Sequence, residues 1–176
     1  MNPQQVITFW RDAGPAKWFN GGTGFDAKCR ERFGDAHMAA ARREHDDWMH
    51  SVDGALALLL LLDQIPRNIF RGSGHAFATD GLALQHAQQA IGEGLDTQVE
   101  PDLRGFTYLP FEHCEDMAMQ DRSVELMAPL GESSLGYAHA HRNVIKRFGR
   151  FPHRNAALGR SNTLEEQAWL DAGGGF

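Results

Sequence analysis

Two segments of the chain place a proline, an arginine and an asparagine directly after an apolar stretch. Residues 63–68 read DQIPRN, and residues 150–155 read RFPHRN. The planar guanidinium group of arginine binds carboxylates and phosphates through two parallel hydrogen bonds. The two Pro-Arg-Asn segments therefore predict an anion-binding site, and we expect them to lie side by side.

The second segment lies in a strongly basic part of the sequence. Residues 133–164 contain six basic residues and no aspartate or glutamate, although the whole chain has 17 basic and 23 acidic residues and a net charge of -6. Such separation of charge along a chain predicts an anionic partner. The alternative is that the basic segment neutralises the acidic helices of the same chain, since ion pairs within a protein produce the same pattern.

Asp63 continues the apolar face formed by Leu59 and Leu60, so its carboxylate is predicted to lie near the core at the end of a helix. The helix dipole disfavours a negative charge there, and the carboxylate needs a cationic partner. Arg67, or an arginine of the second segment, can supply it. Two interpretations follow: a structural salt bridge, or a carboxylate that orients an arginine toward a ligand.

Residues 111–116, FEHCED, gather acids, an imidazole and a thiol. The spacing of known zinc and di-iron motifs is absent, and acids at a helix N-terminus are favoured by its dipole, so no metal is predicted. His113 and His153 lie beside helix breaks and near opposite charges, which makes them the candidates for a general acid or base. His45 and His141 lie on apolar faces and are predicted to be hydrogen-bonded core histidines.

The predicted ligand site combines the polar residues of both Pro-Arg-Asn segments with those of residues 113–116. Its members are Asp63, Arg67, Asn68, Arg71, His113, Glu115, Asp116, Arg150, His153, Arg154 and Asn155. The predicted ligand is a small anionic molecule. An acidic peptide bound to a concave helical surface and single-stranded nucleic acid are the alternatives. Net acidity argues against duplex nucleic acid, and the absence of nucleotide-binding patterns predicts no cofactor.

The elements that position these residues are predicted to be helices. Apolar residues recur every three or four positions and no alternating strand pattern occurs, which indicates one all-α domain over residues 1–176, with about seven or eight antiparallel helices. Capping boxes are predicted at Asn2 with Gln5 and at Thr163 with Glu166. The apolar run 55–62 is predicted to be central in the core.

Other helix ends are predicted from prolines and capping side chains. Pro66 and Pro110 are each expected to end a helix, because proline lacks the N–H that a helix needs. Asp53 is expected to cap the apolar helix, and Ser133 or Ser134 the basic helix.

The sequence predicts a cytoplasmic protein that is a monomer or a weak dimer and does not contact a membrane. It does not open with a basic stretch and a long apolar core, and its longest apolar run is far shorter than the ~20 residues that span a bilayer. Its two cysteines, Cys29 and Cys114, lack the density of a disulfide framework.

Several long motifs resemble one bacterial family. They read LLDQIPRNIFRG at 61–72, AFATD at 76–80, YLPF at 108–111, HCED at 113–116 and RFGRFPHRN at 147–155. Together they resemble the family catalogued as domain of unknown function 924, over about Phe9 to Trp169. The resemblance implies an all-helical fold similar to tetratricopeptide-repeat proteins and no established activity. A readable 34-residue repeat is absent, so we expect stacked helix pairs rather than a repeat consensus.

Overall fold

The computed structural model describes residues 1–176 and consists of helices and turns without a β-strand, which confirms the all-α prediction. No helix in it is both long enough and apolar enough to cross a bilayer. The chain forms two compact units: the first comprises residues 1–71 and 75–110, and the second comprises residues 72–74 and 111–176. A single domain over the whole chain stays a prediction.

Helices account for most of the first unit. They are α1 (Pro3–Ala13), α2 (Pro15–Trp18), α3 (Gly22–Ala41), α4 (Val52–Leu59), α5 (Ile65–Ile69), α6 (Asp80–Gly92) and α7 (Pro101–Glu112), whose last two residues belong to the second unit. The predicted capping box is confirmed: the side chain of Asn2 accepts the N–H of Gln5, and the side chain of Gln5 accepts the N–H of Asn2. α1 packs against α4, and α3 packs against α5.

The core of the first unit is centred on the predicted apolar run. Every residue from Ala55 to Leu62 is at most 3% exposed. Burying one leucine side chain contributes about 1.5–3 kcal/mol. This run therefore fixes where α4 and the turn after it must lie.

The chain between α4 and α5 is a π-helical turn, Leu60–Gln64. The N–H of Ile65 bonds to the carbonyl oxygen of Leu60, five residues back. Pro66 follows and has no N–H, so carbonyl oxygens of this turn lose their helical partner.

Side chains from two other elements replace the missing donors. Nδ1 of His37 lies 2.8 Å from the carbonyl oxygen of Leu61, and the hydroxyl of Thr79 donates to the carbonyl oxygen of Leu62 at 2.5 Å. The prediction that Pro66 ends the helix is therefore wrong. Helical turns continue into α5 because these two hydrogen bonds offset the loss of the proline N–H.

Helices α8 (Met117–Met127), α9 (Glu132–Phe148) and α10 (Leu164–Asp171) build the second unit, and α8 packs against α9. The capping box of Thr163 with Glu166 at the start of α10 is confirmed. The apolar core of the unit comprises Val144, Ile145 and Phe151 with Met117, Phe148 and Trp169 packed against them.

Two helix starts differ from the prediction. α4 is capped by Ser51, whose hydroxyl accepts the N–H of Gly54 at 3.1 Å, whereas Asp53 lies within the first turn. Ser51 has the extended backbone of a cap residue, which explains the difference. α9 starts directly after Gly131, whose φ of 108° suits glycine, so Ser133 and Ser134 lie inside its first turn.

Pro110 does not end α7, so this prediction is also wrong. The proline lies inside the helix, which continues to Glu112. Only two helical residues follow it, so the distortion that proline causes is confined to the last turn.

Candidate functional site

Arg67 lies between two carboxylates of the first unit. Its Nη1 is 3.2 Å from Oδ1 of Asp63, and its guanidinium donates two hydrogen bonds to Asp80, at 2.9 and 3.0 Å. Burial alone would lower the pKa of Arg67, but the two carboxylates raise it above its ordinary value. The guanidinium therefore stays charged inside an ion-pair network, which is the geometry expected for a structural salt bridge.

Arg71 forms a bidentate ion pair with Asp26 of α3, at 2.8 and 2.9 Å. This pair raises the pKa of Arg71. The amide of Asn68 donates to the carbonyl oxygen of Gln64 at 3.1 Å. All four predicted site residues of the first unit thus bond to groups of that unit, with the carboxylate of Asp63 bonded to Arg67 and to the side-chain amide of Gln64.

Glu115 ties together the second Pro-Arg-Asn segment. Its carboxylate accepts two hydrogen bonds from Arg160, at 2.6 and 2.9 Å, and one from the N–H of Phe151 at 2.7 Å. Burial alone would raise the pKa of Glu115, but these donors hold it below its ordinary value. The carboxylate is therefore ionised, and it holds the backbone of the segment at Phe151.

Arg150 and Asn155 are joined to α10 through Glu166. Arg150 donates to both carboxylate oxygens of Glu166, at 2.6 and 2.7 Å, and the N–H of Thr163 donates at 2.7 Å. The bond from Arg150 is the main reason that the pKa of Glu166 falls to about 2. The amide of Asn155 donates to the side chain of Asn162 at 2.7 Å. These contacts fold the segment back on α10.

Residues 111–116 do not form one helix. α7 ends at Glu112, and Asp116 caps α8 by accepting the N–H groups of Ala118 and Met119 at 2.9 and 3.1 Å. The acid-rich N-terminus inferred from the sequence is thus the cap of α8 alone.

Gln120, which is fully buried, holds the connection between α7 and α8. Its side-chain amide donates to the carbonyl oxygens of Glu112 at 2.7 Å and Cys114 at 2.8 Å. One side chain thereby gathers the backbone on both sides of His113. Gln120 of α8 therefore fixes the backbone that carries His113.

Arg154 is the most buried arginine of the second segment, with 6% of the residue exposed. Its Nη1 donates to the carbonyl oxygen of His113 at 3.0 Å, and its guanidinium carbon lies 4.4 Å from the ring centre of Phe151. Stacking on the aromatic face of Phe151 fixes the plane of the guanidinium.

His141 of α9 lies at the centre of this cluster, although the sequence predicted only a core histidine. It is 7% exposed, and its Nδ1 lies 2.9 Å from the carbonyl oxygen of Tyr137 and 3.1 Å from Oε1 of Glu112. A carbonyl oxygen only accepts, so Nδ1 carries the proton in the neutral ring. Nε2 is then left with its lone pair.

Charged groups of both signs surround His141, with the carboxylate of Glu112 at 3.1 Å and the guanidinium of Arg154 close by. Burial lowers the pKa of His141 to about 3. The charges of His113, Arg154 and His153 push this pKa further down. The imidazole is therefore neutral mainly because it is buried.

Three further rings surround His141. The ring centroid of His113 lies 6.1 Å from that of His141, and the centroid of Phe151 lies 5.6 Å from it. His153 is 5.6 Å from Phe151. The ring of Phe176 stacks on His141 with 3.6 Å between centroids and 10° between planes.

Of the seven predicted site residues in the second unit, the structure brings His113, His153 and Arg154 together around His141, whereas Asp116 caps α8 and the other three bond to Arg160, Glu166 and Asn162. It adds three residues that sequence reasoning missed: Glu112, His141 and Phe176. Glu112 and His141 had been assigned to a helix end and to the core. The only local signal is the spacing of Tyr137 and His141, which lets the imidazole bond one turn back. The side-by-side arrangement of the two Pro-Arg-Asn segments relates different units and stays a prediction.

Comparison with known proteins was informative about family and fold. Residues 6–174 match the model of the family described as bacterial protein of unknown function (DUF924). A solved structure of a protein of unknown function from Agrobacterium tumefaciens is 50% identical and has a TM-score of 0.94, with 97% of each chain covered. The comparison with curated proteins gave no match.

Proposed function

We propose that this chain, which belongs to the DUF924 family of bacterial proteins of unknown function, binds a small anionic ligand in its second unit. The binding site is the cluster of Arg154, His113, His141 and His153, which we call the His-Arg cluster. The proposal keeps the cytoplasmic location predicted from the sequence. It leaves out the first-unit arginines, whose guanidinium groups bond to Asp26, Asp63 and Asp80.

One observation carries this proposal: the buried imidazole of His141 and the buried guanidinium of Arg154 lie in one cluster with the rings of His113 and His153. The carboxylates of Glu115 and Glu166 are each matched by a bidentate arginine, Arg160 and Arg150. A ligand anion in this cluster would interact with the guanidinium of Arg154. Buried electrostatic interactions of this kind are screened less by salt than exposed ones.

Hydrogen-bonding capacity supports the same ligand class. The guanidinium of Arg154 can donate to phosphate or carboxylate oxygens, and protonated His113 and His153 can donate as well. His141 supplies an acceptor at Nε2, as argued from its Nδ1 contacts. A proton on the ligand, such as that of a hydroxyl group, could bond there.

A thermal-shift screen of phosphate, sulfate and organic acids tests the proposal. Ligand at one hundred times its Kd stabilises the folded state by about 2.7 kcal/mol. We expect at least one anion to raise the melting temperature of the wild type, and Arg154→Met to abolish this rise. Arg142→Met is the matched control. Arg142 lies on α9 and pairs with Asp121 of α8, so the loss of this arginine should leave the anion effect intact.

Arg154 is buried, so its replacement can also lower stability without any ligand. His153→Gln therefore provides a second variant, since His153 is only half-buried. An anion effect that is equal in the wild type and in both variants would refute binding at the His-Arg cluster. So would the absence of any anion effect on the wild type.

A further inference from the structure

We propose that the anion bound at the His-Arg cluster carries a flat aromatic ring, and that Phe176 occupies the place of this ring when no ligand is bound. This inference rests on the proposed function and names its ligand class. It treats residues 173–176, which follow α10, as an internal competitor of the ligand.

The stacking of Phe176 is the first observation. Its ring lies on His141 with 3.6 Å between centroids and 10° between planes, so the two rings are in face-to-face contact. The same ring meets Phe151 and His153 edge-on, at 6.2 and 5.7 Å. A slot with one parallel face and two edge contacts is shaped for a planar ring.

Exposure shows that Phe176 is not held there by core packing. The residue is 55% exposed, whereas His141 beneath it is 7% exposed. The ring therefore covers a buried imidazole while remaining open to solvent itself. Its removal would uncover the face of His141 at small cost to the core.

Phe176 also lines a groove of about 310 Å³. It is lined by Ala140, Asn143, Val144, Arg147, Phe148 and Trp169, with Phe176 as one wall. Because Phe176 both lines this groove and covers His141, displacing its ring would join the groove to the His-Arg cluster. The joined space suits a ring that stacks on His141 and extends over apolar side chains.

The backbone before Phe176 is built to let the ring move. The N–H groups of Gly173 and Gly174 bond to the carbonyl oxygens of Leu170 and Trp169, both at 2.9 Å, which anchors these glycines to the end of α10. Gly175 has a φ of 139°, a conformation that only glycine adopts without strain. Rotation at Gly175 alone would swing the ring away while the anchor stays.

The charge on the aromatic ligand then determines how tightly it binds. A neutral ring would gain only the stacking that Phe176 already makes. An anionic group on the ring would also interact with the guanidinium of Arg154, whereas the benzyl side chain of Phe176 carries no charge. The combination favours an aromatic carboxylate or aromatic phosphate over both a simple anion and a neutral ring.

Calorimetric titration of the full chain with phenyl phosphate, cyclohexyl phosphate and inorganic phosphate tests the ring. We expect phenyl phosphate to bind about 2- to 10-fold more tightly than cyclohexyl phosphate, which is the range given by one stacked pair. Phenyl phosphate should also shift the amide NMR signals of Gly175 and Phe176, because it displaces the ring. Equal binding of the three probes would overturn the aromatic class and leave anion binding intact.

Variants of Phe176 test the competition. Removing a competitor raises apparent affinity by the inverse of the fraction of open sites, so Phe176→Ala and Phe176→Leu should bind phenyl phosphate several-fold more tightly than the wild type. Phe19→Ala is the matched control: Phe19 is 65% exposed and stacks on Phe106 in the first unit, and its loss should not change binding.

The outcomes separate this inference from the proposed function. Unchanged or weaker binding in both Phe176 variants would overturn the competitor role, even if anions bind. Failure of all three probes to bind the wild type and Phe176→Ala would overturn both proposals. Circular dichroism of Phe176→Leu, which keeps the apolar bulk, verifies that the fold is retained.

Discussion

Nδ1 of His141 lies 3.1 Å from a carboxylate oxygen of Glu112, within the second unit. The imidazole is nonetheless neutral in the folded protein, because burial lowers its pKa to about 3 from the ordinary value of 6.5. The pair is therefore a hydrogen bond between a neutral ring and an acidic side chain, and it fixes the orientation of the ring.

The first prediction concerns acid stability. Between pH 6.5 and about 3 the unfolded chain protonates His141 and the folded chain does not, so its contribution to stability is complete above pH 6.5 and decreases as the pH falls. The decrease from this one residue amounts to at most about 5 kcal/mol. We expect His141→Gln to flatten the pH dependence of the unfolding free energy, measured by urea denaturation from pH 7 to pH 4.

His139→Gln is the control for this measurement, since His139 is an exposed histidine on the same helix. Its pH slope should equal that of the wild type. If His141→Gln also keeps the wild-type slope, the imidazole is not held neutral by its surroundings.

The second prediction concerns the proline that does not end its helix. Thr79→Val removes the hydroxyl that donates to the carbonyl oxygen of Leu62, and this carbonyl is then buried without that donor. We expect a loss of about 1–3 kcal/mol in unfolding free energy. Thr97→Val is the matched control, because Thr97 is exposed and donates to Gly94 at 3.2 Å; its change should stay within about 0.5 kcal/mol. Similar losses in the two variants would show that the Leu62 carbonyl does not depend on Thr79.

Local signals explain which parts of the fold could be predicted. The capping box of Asn2 with Gln5 and the apolar run 55–62 are each encoded by neighbouring residues, and both predictions are confirmed. The continuation past Pro66 depends on His37 and Thr79, which come from other elements. The residues next to Pro66 in the sequence do not indicate that His37 and Thr79 supply these hydrogen bonds.

The candidate site shows the same limit. Residue type predicts that the arginines form ion pairs with carboxylates. The partner of Arg71 is Asp26, and the partner of Arg150 is Glu166. The sequence alone indicates neither partner. His141 was assigned to the core, which its burial supports. Its contact with Phe176 depends on how α9 and the chain after α10 pack, and no spacing in the sequence encodes that contact.

The third prediction tests the apolar run. Leu59 is 1% exposed, so Leu59→Ala should lower the unfolding free energy by about 2–5 kcal/mol through lost burial and the cavity it leaves. Leu164→Ala is the matched control, because Leu164 is 93% exposed and should change stability by no more than about 0.5 kcal/mol. Reversible denaturation in guanidinium chloride gives both values. A loss in Leu59→Ala as small as that of the control would mean that Leu59 lies outside the core.

The fourth prediction compares the same substitution at two helical glycines of the first unit. A Cβ at Gly54 would lie 2.0 Å from the backbone carbonyl oxygen of Trp48 and 2.7 Å from the hydroxyl oxygen of Ser51, which caps α4. Gly54→Ala should therefore destabilise by at least about 1–3 kcal/mol, through overpacking and a weakened cap. A Cβ at Gly34, inside α3, meets nothing within 4 Å, so Gly34→Ala should stabilise by about 0.5–1 kcal/mol. Thermal denaturation should move the two midpoints in opposite directions, and a tolerated Gly54→Ala would show that the turn before α4 can shift to admit a side chain.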